Sequence, residues 1–98
     1  MVYDLIPTKT LLEQLKSLDK KAKRIIQNKI LLLKENPFLN KRLSGFHFPL
    51  FRIRFKNHNA ESRLIYSVEG AKVVLICLLD RRKDYKDLLK FLKKEGIL

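Results

Sequence analysis

Apolar and cationic side chains alternate without a break between Phe51 and Lys56. The apolar members are Phe51, Ile53 and Phe55, and the cationic members are Arg52, Arg54 and Lys56. A period of two is typical of a β-strand with one buried face, because successive side chains point to opposite faces of a sheet. The segment therefore predicts a strand whose cationic side chains all lie on one face.

A second strand-like run, Ser62–Val68, follows the turn-forming sequence Asn57–Ala60. Asparagine tolerates the positive φ of tight turns, so the two runs are predicted to form a β-hairpin. A two-residue turn at His58-Asn59 places Arg54 directly opposite Arg63. A slip of one residue would move Arg63 onto the face of the phenylalanines, so the hydrophobic pattern specifies this register.

One strand and two helices are predicted before the hairpin. Met1–Ile6 is rich in strand formers and is followed by Pro7. Thr10–Glu13 has the spacing of a capping box, in which a hydroxyl and a carboxylate each bind a free backbone N–H, and it begins a short helix. Asp19 is the predicted N-cap of a longer helix that stops at Asn36-Pro37. The short connection between the helices predicts an antiparallel helical hairpin.

A third strand, Lys72–Leu79, is predicted after a turn at Glu69-Gly70. Its even-numbered and odd-numbered positions are both apolar, so both faces of this strand should be covered. From Asp84 onward the helical period returns. Its apolar stripe consists of Tyr85, Leu88, Leu89 and Leu92. The order of strand, helical hairpin, three-strand antiparallel meander and C-terminal helix predicts a small α+β domain.

The chain of 98 residues carries 22 Lys and Arg against 10 Asp and Glu, a formal net charge of +12. A chain of this length can bury one modest core, so residues 1–98 are predicted to form a single domain. Its apolar runs are far shorter than the ~20 residues of a membrane span, and its N-terminus does not resemble a signal peptide. The expected location is the cytoplasm, and the charge favours a polyanionic or acidic partner.

The predicted register gathers cations at one end of one sheet face, near the Lys56–Ala60 turn. The cluster consists of Arg54, Lys56, Arg63, Arg81 and Arg82. These side chains could simply face water. However, Arg54 opposite Arg63 is a like-charge pair, which is unfavourable without an anion beside it. Guanidinium groups make forked hydrogen bonds to phosphate, so the phosphate of RNA fits this cluster.

The same face also carries apolar side chains in this register. They are Ile65, Val74, Ile76 and Leu78. They need cover either from the C-terminal helix or from an apolar segment of a partner protein. The first arrangement makes them core residues and the second makes them a protein-binding surface, and the sequence leaves both open.

Several other kinds of site have no sequence motif here. The chain has no Gly-rich phosphate loop and no metal-ligand spacing, so no metal and no small-molecule cofactor is expected. Cys77, the single cysteine, lies in an apolar run and is predicted to be a core residue. His47 and His58 are predicted to be a packing residue and a turn residue, respectively.

Five segments follow one another along the chain in a characteristic order. They are Arg42–Gly45, Leu50–Phe55, Ser62–Val68, Lys72–Leu79 and the basic tail Asp80–Tyr85. Together they resemble the RelE/ParE superfamily of type II toxin–antitoxin toxins. The resemblance covers essentially the whole chain and implies the RelE-like α+β fold.

The resemblance to the RelE branch implies an mRNA endoribonuclease that works in the A site of the small ribosomal subunit and inhibits translation. Such an enzyme needs no metal, because the 2′-hydroxyl of the message attacks the adjacent phosphate. A cognate RelB-like antitoxin, acidic or amphipathic, is the implied partner beside the ribosome and mRNA. The implied catalytic residues are Arg54, Lys56, Arg63, Arg81, Arg82 and Tyr85. The implied RNA-binding residues are Lys41, Arg42, Arg52 and Lys83. The implied antitoxin-binding residues are Ile65, Val74, Ile76, Leu78, Leu88 and Leu92.

Arg54 departs from the pattern of some relatives, which have a lysine there as the base. Arginine stays protonated in proteins and is a poor proton acceptor. The site is therefore expected to act mainly by electrostatics and positioning, with Lys56 or Tyr85 as proton carriers and Glu61 or His58 as further candidates. Two other functions stay open: a ParE-like DNA gyrase inhibitor without nuclease activity, and a non-catalytic basic RNA-binding module.

Overall fold

The computed structural model describes residues 2–57, 60–80 and 86–97. Its elements are β1 (Asp4–Pro7), α1 (Lys9–Lys16), α2 (Lys20–Leu33), β2 (Lys41–Arg42), β3 (Leu50–Asn57), β4 (Ala60–Glu69), β5 (Lys72–Asp80) and α3 (Lys86–Lys94). The predicted order of elements is confirmed, and the structure adds β2 within a segment that was predicted to be irregular. The predictions on Met1, on the His58-Asn59 turn and on residues 84–85 of the last helix lie outside the described residues.

The five strands form one mixed sheet in the order β1-β5-β4-β3-β2. β1 runs parallel to β5, and the other neighbours are antiparallel. One face of the sheet is covered by α1 and α2, through Leu11, Ile26 and Leu33. The other face is covered by α3, through Leu88 and Leu92. β5 is thus covered on both faces, as its continuous apolar sequence predicts.

Helix α1 has Thr8, not Thr10, as its N-cap. Thr8 Oγ1 accepts a hydrogen bond from the Leu11 N–H at 3.1 Å, which satisfies one of the free donors of the first turn. The predicted capping box of Thr10 and Glu13 is wrong, because Thr10 lies inside the helix and its hydroxyl donates to Glu95. A tertiary contact therefore determines which of two threonines caps the helix.

Helix α2 begins as predicted. The Asp19 carboxylate accepts a hydrogen bond from the Ala22 N–H at 2.8 Å, and Ala22, Ile26 and Leu33 form its buried face. Lysine and arginine side chains occupy much of its remaining surface, and Leu31 and Leu32 are exposed near its end. No helix in the described part of the chain is long and apolar enough to cross a membrane.

The predicted register of the β3–β4 hairpin is confirmed. The structure pairs Phe51 with Tyr66, Ile53 with Leu64, Arg54 with Arg63 and Lys56 with Glu61. The second turn differs from the prediction, because Glu69 still pairs with Lys72 and the turn residues are Gly70-Ala71. Gly70 has a φ of +58°, a left-handed conformation that glycine adopts without strain.

A β-bulge in β5 corrects the predicted position of Leu78. Ile65 pairs with Cys77 and Tyr66 with Leu75, so Ile76 is an extra residue opposite β4. Because of this extra residue, the side chains that follow it in β5 point to the opposite faces from those that strict alternation predicts. Leu78 therefore packs against the α1 and α2 side of the sheet, whereas Cys77 packs on the α3 side.

Candidate nucleic-acid interface

Arg54 and Arg63 lie directly opposite each other on the sheet face that α3 partly covers. Glu61 supplies a partial counter-charge, because its Oε1 lies 3.5 Å from Arg54 Nε. The Arg54 side chain is 58% exposed and that of Glu61 is 19% exposed, so this ion pair is well solvated and contributes little stability. Arg54 and Arg63 carry two positive charges and Glu61 carries one negative charge, so Glu61 offsets only part of the charge of this pair.

Arg63 is half-buried, and its Nε is fully shielded from solvent. This N–H has no hydrogen-bond acceptor among the described residues. A shielded donor without an acceptor costs free energy, so native structures rarely leave one unpaired. An anion bound between Arg63 and Arg54 would relieve the like-charge repulsion, and it would satisfy this donor if the Arg63 side chain turned toward it.

Arg52 precedes Arg54 by two residues on β3 and points to the same face. It is only 8% exposed and has no ion pair with a residue in the described ranges. Arginine remains charged when it is buried, so such a position favours an anionic ligand. Arg52 lies between Lys41 of β2 and Ile65 of β4.

An open cleft of about 400 Å³ adjoins Arg52. Its lining consists of Lys41, Arg42, Leu43, Ser44, Gly45, Phe46, Arg52 and Leu89. The structure therefore brings together three residues predicted to bind RNA: Lys41, Arg42 and Arg52. The cleft combines these cations with apolar walls from Phe46 and Leu89, a combination that suits a nucleotide with its phosphate and its flat base.

Sequence reasoning missed the apolar wall of this cleft. Leu89 belongs to the predicted stripe of the last helix, but it is 44% exposed and faces the cleft instead of the core. Phe46 lies in a segment without a regular period, where no sequence pattern indicates a side-chain direction. The sequence did hold one signal for Leu89. It directly follows Leu88, and adjacent residues on a helix point in different directions, so Leu89 does not share the buried position of Leu88.

The remaining predicted catalytic residues are Lys56 and residues of the basic tail. Lys56 is exposed at the end of β3. The predictions for Arg81, Arg82, Lys83 and Tyr85 lie outside the described residues. β5 ends at Asp80, which pairs with Ser62 beside Arg63.

The predicted antitoxin-binding residues lie mostly beneath α3. Ile65, Ile76, Leu88 and Leu92 are fully buried in one cluster, and Val74 packs against it half-buried. In this conformation the C-terminal helix provides their cover, which is the core arrangement of the two that the sequence left open. Leu78 faces the opposite side of the sheet, because of the bulge.

Cys77, the single cysteine, is buried in the cluster beneath α3, and this burial, followed by the Asp87 and Glu95 carboxylates, raises the pKa of its thiol to about 12. It is therefore a core residue, as predicted, and carries no thiolate near neutral pH. In residues 2–57, 60–80 and 86–97, no three His, Cys, Asp or Glu side chains come together to hold a metal ion.

No protein-family model and no curated protein matches the sequence. Solved structures do share its fold. A mutant of the E. coli toxin RelE in the free state matches with a TM-score of 0.79 at 20% sequence identity, over 100% of both chains. The RelE–RelB complex from Pyrococcus horikoshii matches with a TM-score of 0.71 at 24% identity, over 86% of this chain and 100% of that chain. The intact E. coli RelBE toxin–antitoxin complex matches with a TM-score of 0.68 at 22% identity, over 78% of this chain and 93% of that chain. These similarities establish the expected RelE-like α+β fold.

Proposed function

We propose that this protein is the toxin of a toxin–antitoxin pair and acts as a ribosome-dependent mRNA endoribonuclease. The observation that carries the proposal is the set Arg52, Arg54 and Arg63 on one sheet face, with the shielded Arg63 Nε lacking an acceptor among the described residues. The RelE-like fold supports the same assignment. A gyrase inhibitor has no need for several guanidinium groups on one sheet face.

In the proposed reaction, the 2′-oxygen of one nucleotide attacks the adjacent phosphorus and the bond to the 5′-oxygen of the next nucleotide breaks. The 2′-hydroxyl loses its proton, the leaving 5′-oxygen gains one, and the products end in a 2′,3′-cyclic phosphate and a 5′-hydroxyl. Arg54 and Arg63 would stabilise the extra negative charge on the pentacoordinate phosphorus. The ribosome would hold the message in line for this attack.

Proton transfer is assigned to groups other than arginine, because arginine does not give up its proton. Lys56 is exposed beside Glu61 at the same end of the sheet and can donate to the leaving oxygen. Tyr85 is the second proposed proton carrier. Arg81 and Arg82 are proposed to add to the charge at the phosphate, and Lys83, Lys41, Arg42 and Arg52 to bind the flanking message.

The proposed antitoxin is RelB-like and acidic or amphipathic, which complements the net charge of +12. Its proposed binding surface includes Ile65, Val74, Ile76, Leu88 and Leu92. Because most of these side chains are buried under α3, the antitoxin can reach them only if α3 leaves its place on the sheet. The proposed site of action and partners place the protein in the cytoplasm.

Primer extension on a translated message after induction of the protein tests this function. We expect new 5′ ends within codons, at positions that require the message to be translated. The Arg63→Ala variant should lose these ends, whereas Lys21→Ala, which removes an exposed cation of α2, should keep them. Arrested growth without such ends, accompanied by double-strand DNA breaks, would contradict the nuclease and support gyrase inhibition.

A further inference from the structure

The cleft beside Arg52 carries a pair of like charges on one face of the sheet. Lys41 of β2 and Arg52 of β3 lie directly opposite each other, so their side chains are neighbours on that face. Two cations in this position repel each other unless an anion lies beside them. Arg52 is only 8% exposed, and the described lining of the cleft contains no carboxylate. The position therefore favours a bound anionic ligand.

The loop between β2 and β3 gives the same cleft an apolar wall. The start of the loop is anchored, because the Leu43 N–H donates to the Leu50 carbonyl at 2.8 Å. Gly45 has a φ of +88°, a left-handed conformation that turns the chain and that residues with a Cβ rarely adopt. The Phe46 ring lies 6.0 Å from the Phe48 ring, and both pack on the cluster beneath α3. Contacts within the protein thus support the Phe46 wall.

A second apolar wall comes from helix α3. Leu88 and Leu92 are fully buried against the sheet, whereas Leu89 is 44% exposed and lines the cleft. The cleft is therefore complete only when α3 lies on the sheet. A ligand that contacts both Arg52 and Leu89 binds this closed arrangement alone, so its binding stabilises α3 against opening.

The size and chemistry of the cleft indicate the class of ligand. Its volume of about 400 Å³ lies in the range of about 300–1,000 Å³ that is typical of small-molecule sites. Guanidinium and ammonium groups suit a phosphate, and an aromatic wall suits a base, which stacks on it. A carboxylate side chain has no flat ring for Phe46 and matches the cleft less well. A nucleotide carries both the anion and the ring in one molecule.

We propose that this cleft binds a single nucleotide and that the bound nucleotide holds α3 on the sheet. Its phosphate lies against Lys41 and Arg52, and its base lies against Phe46 and Leu89. The site deepens the proposed function, on which it rests, because Lys41 and Arg52 are assigned there to the flanking message. It adds a pocket for one base and a role for α3 in binding. The same chemistry recognises a free nucleotide and a nucleotide of the message.

Adenosine 5′-monophosphate and ribose 5-phosphate serve as the probes, since they share a phosphate and differ by the base. NMR titration of the full chain, without ribosomes, measures both affinities. We expect adenosine 5′-monophosphate to bind at least about fivefold more tightly, because only this probe has a base that can stack on Phe46. The backbone amide signals of Gly45 and Leu89 should shift with it. Equal affinities, or no binding of either probe at millimolar concentration, would overturn the proposal.

Two variants with matched controls test the contacts. Leu89→Ala should remove the preference for adenosine 5′-monophosphate and keep the affinity for ribose 5-phosphate, because Leu89 contacts only the base. Leu31→Ala, which removes an exposed leucine from the helix on the other sheet face, should alter neither affinity. Lys41→Gln should weaken both probes by about fivefold, whereas Lys21→Gln should weaken neither. An unchanged preference in Leu89→Ala would overturn the proposed position of the base.

Labelling of Cys77 by a thiol reagent tests the coupling to α3. This thiol is fully buried among residues that include Leu88 and Leu92, so opening of α3 exposes it. Adenosine 5′-monophosphate at ten times its dissociation constant should slow labelling by about tenfold. Ribose 5-phosphate at the same occupancy should slow it less, because this probe does not contact Leu89. Equal slowing by the two probes would overturn the role of α3.

A short oligoribonucleotide distinguishes the two sources of nucleotide. Displacement of bound adenosine 5′-monophosphate by this oligoribonucleotide would assign the cleft to the message, and its retention would assign the cleft to a free nucleotide. Tighter binding of a blocked glutamate peptide than of either probe would overturn the proposal in favour of an acidic protein. Cleavage on ribosomes is measured separately. Nucleotide binding by a protein that cuts no message would contradict only the nuclease, and cleavage without nucleotide binding would contradict only this site.

Discussion

Glu95, just beyond the end of α3, accepts two hydrogen bonds from Thr10 in α1. Its Oε1 lies 2.9 Å from the Thr10 backbone nitrogen and 2.5 Å from the Thr10 hydroxyl. The Thr10 N–H belongs to the first turn of a helix, where free donors and the helix dipole both favour a carboxylate. These hydrogen bonds hold the pKa of Glu95 below its usual range. The contact ties the end of α3, whose Leu89 forms a wall of the cleft, to the opposite end of the sequence.

Glu95→Gln should make the protein less stable at neutral pH but not in acid. Because the pKa of Glu95 is lowered in the folded state, its ionised form stabilises the fold above the unfolded-state pKa. That stabilisation is lost as the pH falls through the folded-state pKa. We expect the substitution to lower the free energy of unfolding by about 1 kcal/mol near neutral pH and by much less near pH 3. Urea unfolding at both pH values measures the difference, and an equal deficit at both would contradict the ionic origin of this contact.

The Gln14 side chain should stabilise the protein by pairing with the backbone of β5 where β1 no longer does. Its Nε2 donates to the Leu78 carbonyl at 3.0 Å, and its Oε1 accepts from the Leu78 N–H at 2.7 Å. These bonds occur beyond Leu75, the last β5 residue that pairs with β1. We expect Gln14→Ala to lower the free energy of unfolding by about 2 kcal/mol, because it leaves both Leu78 groups unpaired. Urea unfolding measures this loss. A much smaller loss, with the Leu78 amide still protected from exchange, would show that the edge is covered by other means. The exposed Gln27→Ala variant is the control.

Tyr66 should stabilise the protein through its hydroxyl as well as its ring. The hydroxyl donates to the Pro37 carbonyl at 2.7 Å and accepts from Asn40 at 3.0 Å. We expect Tyr66→Phe to cost about 1–2 kcal/mol of unfolding free energy at neutral pH, whereas Tyr3→Phe costs less. Comparable losses in the two variants, measured by urea unfolding, would count against a specific role of the Tyr66 hydroxyl.

The same tyrosine predicts a limit to stability in alkali. Burial, partly offset by the hydrogen bond from Asn40, raises the pKa of Tyr66 to about 12. A raised pKa means that the neutral hydroxyl stabilises the fold fully below the unfolded-state pKa of about 10, and that this contribution disappears as the pH rises through about 12. The stability of the Tyr66→Phe variant should therefore approach that of the parent in strong alkali. A gap that widens with pH would contradict this assignment.

Cys77 should report whether α3 stays in place. Its thiol is fully buried among residues that include Leu88 and Leu92 of α3, and its pKa is raised to about 12. We expect a thiol reagent near pH 8 to label the native protein at least about a hundredfold more slowly than the urea-unfolded protein. Rapid labelling of the native protein would mean that α3 opens readily.

The hairpin was predictable from the sequence because its two strands alternate strictly. With Phe51 and Ile53 on one side and Arg52 and Arg54 on the other, only one register buries the apolar side chains, and that register is observed. The bulge was not predictable, because Ile76 lies in an uninterrupted apolar run where a change of parity leaves no trace in the sequence. The prediction for Leu78 failed for this reason.

The candidate site was predictable only in its strand residues. Arg52, Arg54 and Arg63 are placed by the pleat of β3 and β4, so their shared face follows from the sequence alone. The cleft also depends on the loop that carries Phe46 and on the position of Leu89 above Arg52, and both are determined by tertiary packing. The N-cap of α1 was unpredictable for the same reason. The Thr10 hydroxyl donates to Glu95, a distant residue in the sequence, and Thr8 caps the helix instead.

The proposed function requires guanidinium groups on the sheet face to promote cleavage of ribosome-bound mRNA. The most direct test is to add the purified protein to ribosomes that hold a defined message and to analyse the new 3′ ends. We predict cleavage in the A-site codon that leaves a 2′,3′-cyclic phosphate, slowed about a hundredfold or more in Arg63→Ala and unchanged in Lys21→Ala. Circular dichroism and urea unfolding show whether Arg63→Ala retains its fold, and Arg63→Lys provides a second variant that keeps the charge. Cleavage at the parental rate by a folded Arg63→Ala variant, or no cleavage by the parent protein on ribosomes, would rule out this role of the sheet-face arginines.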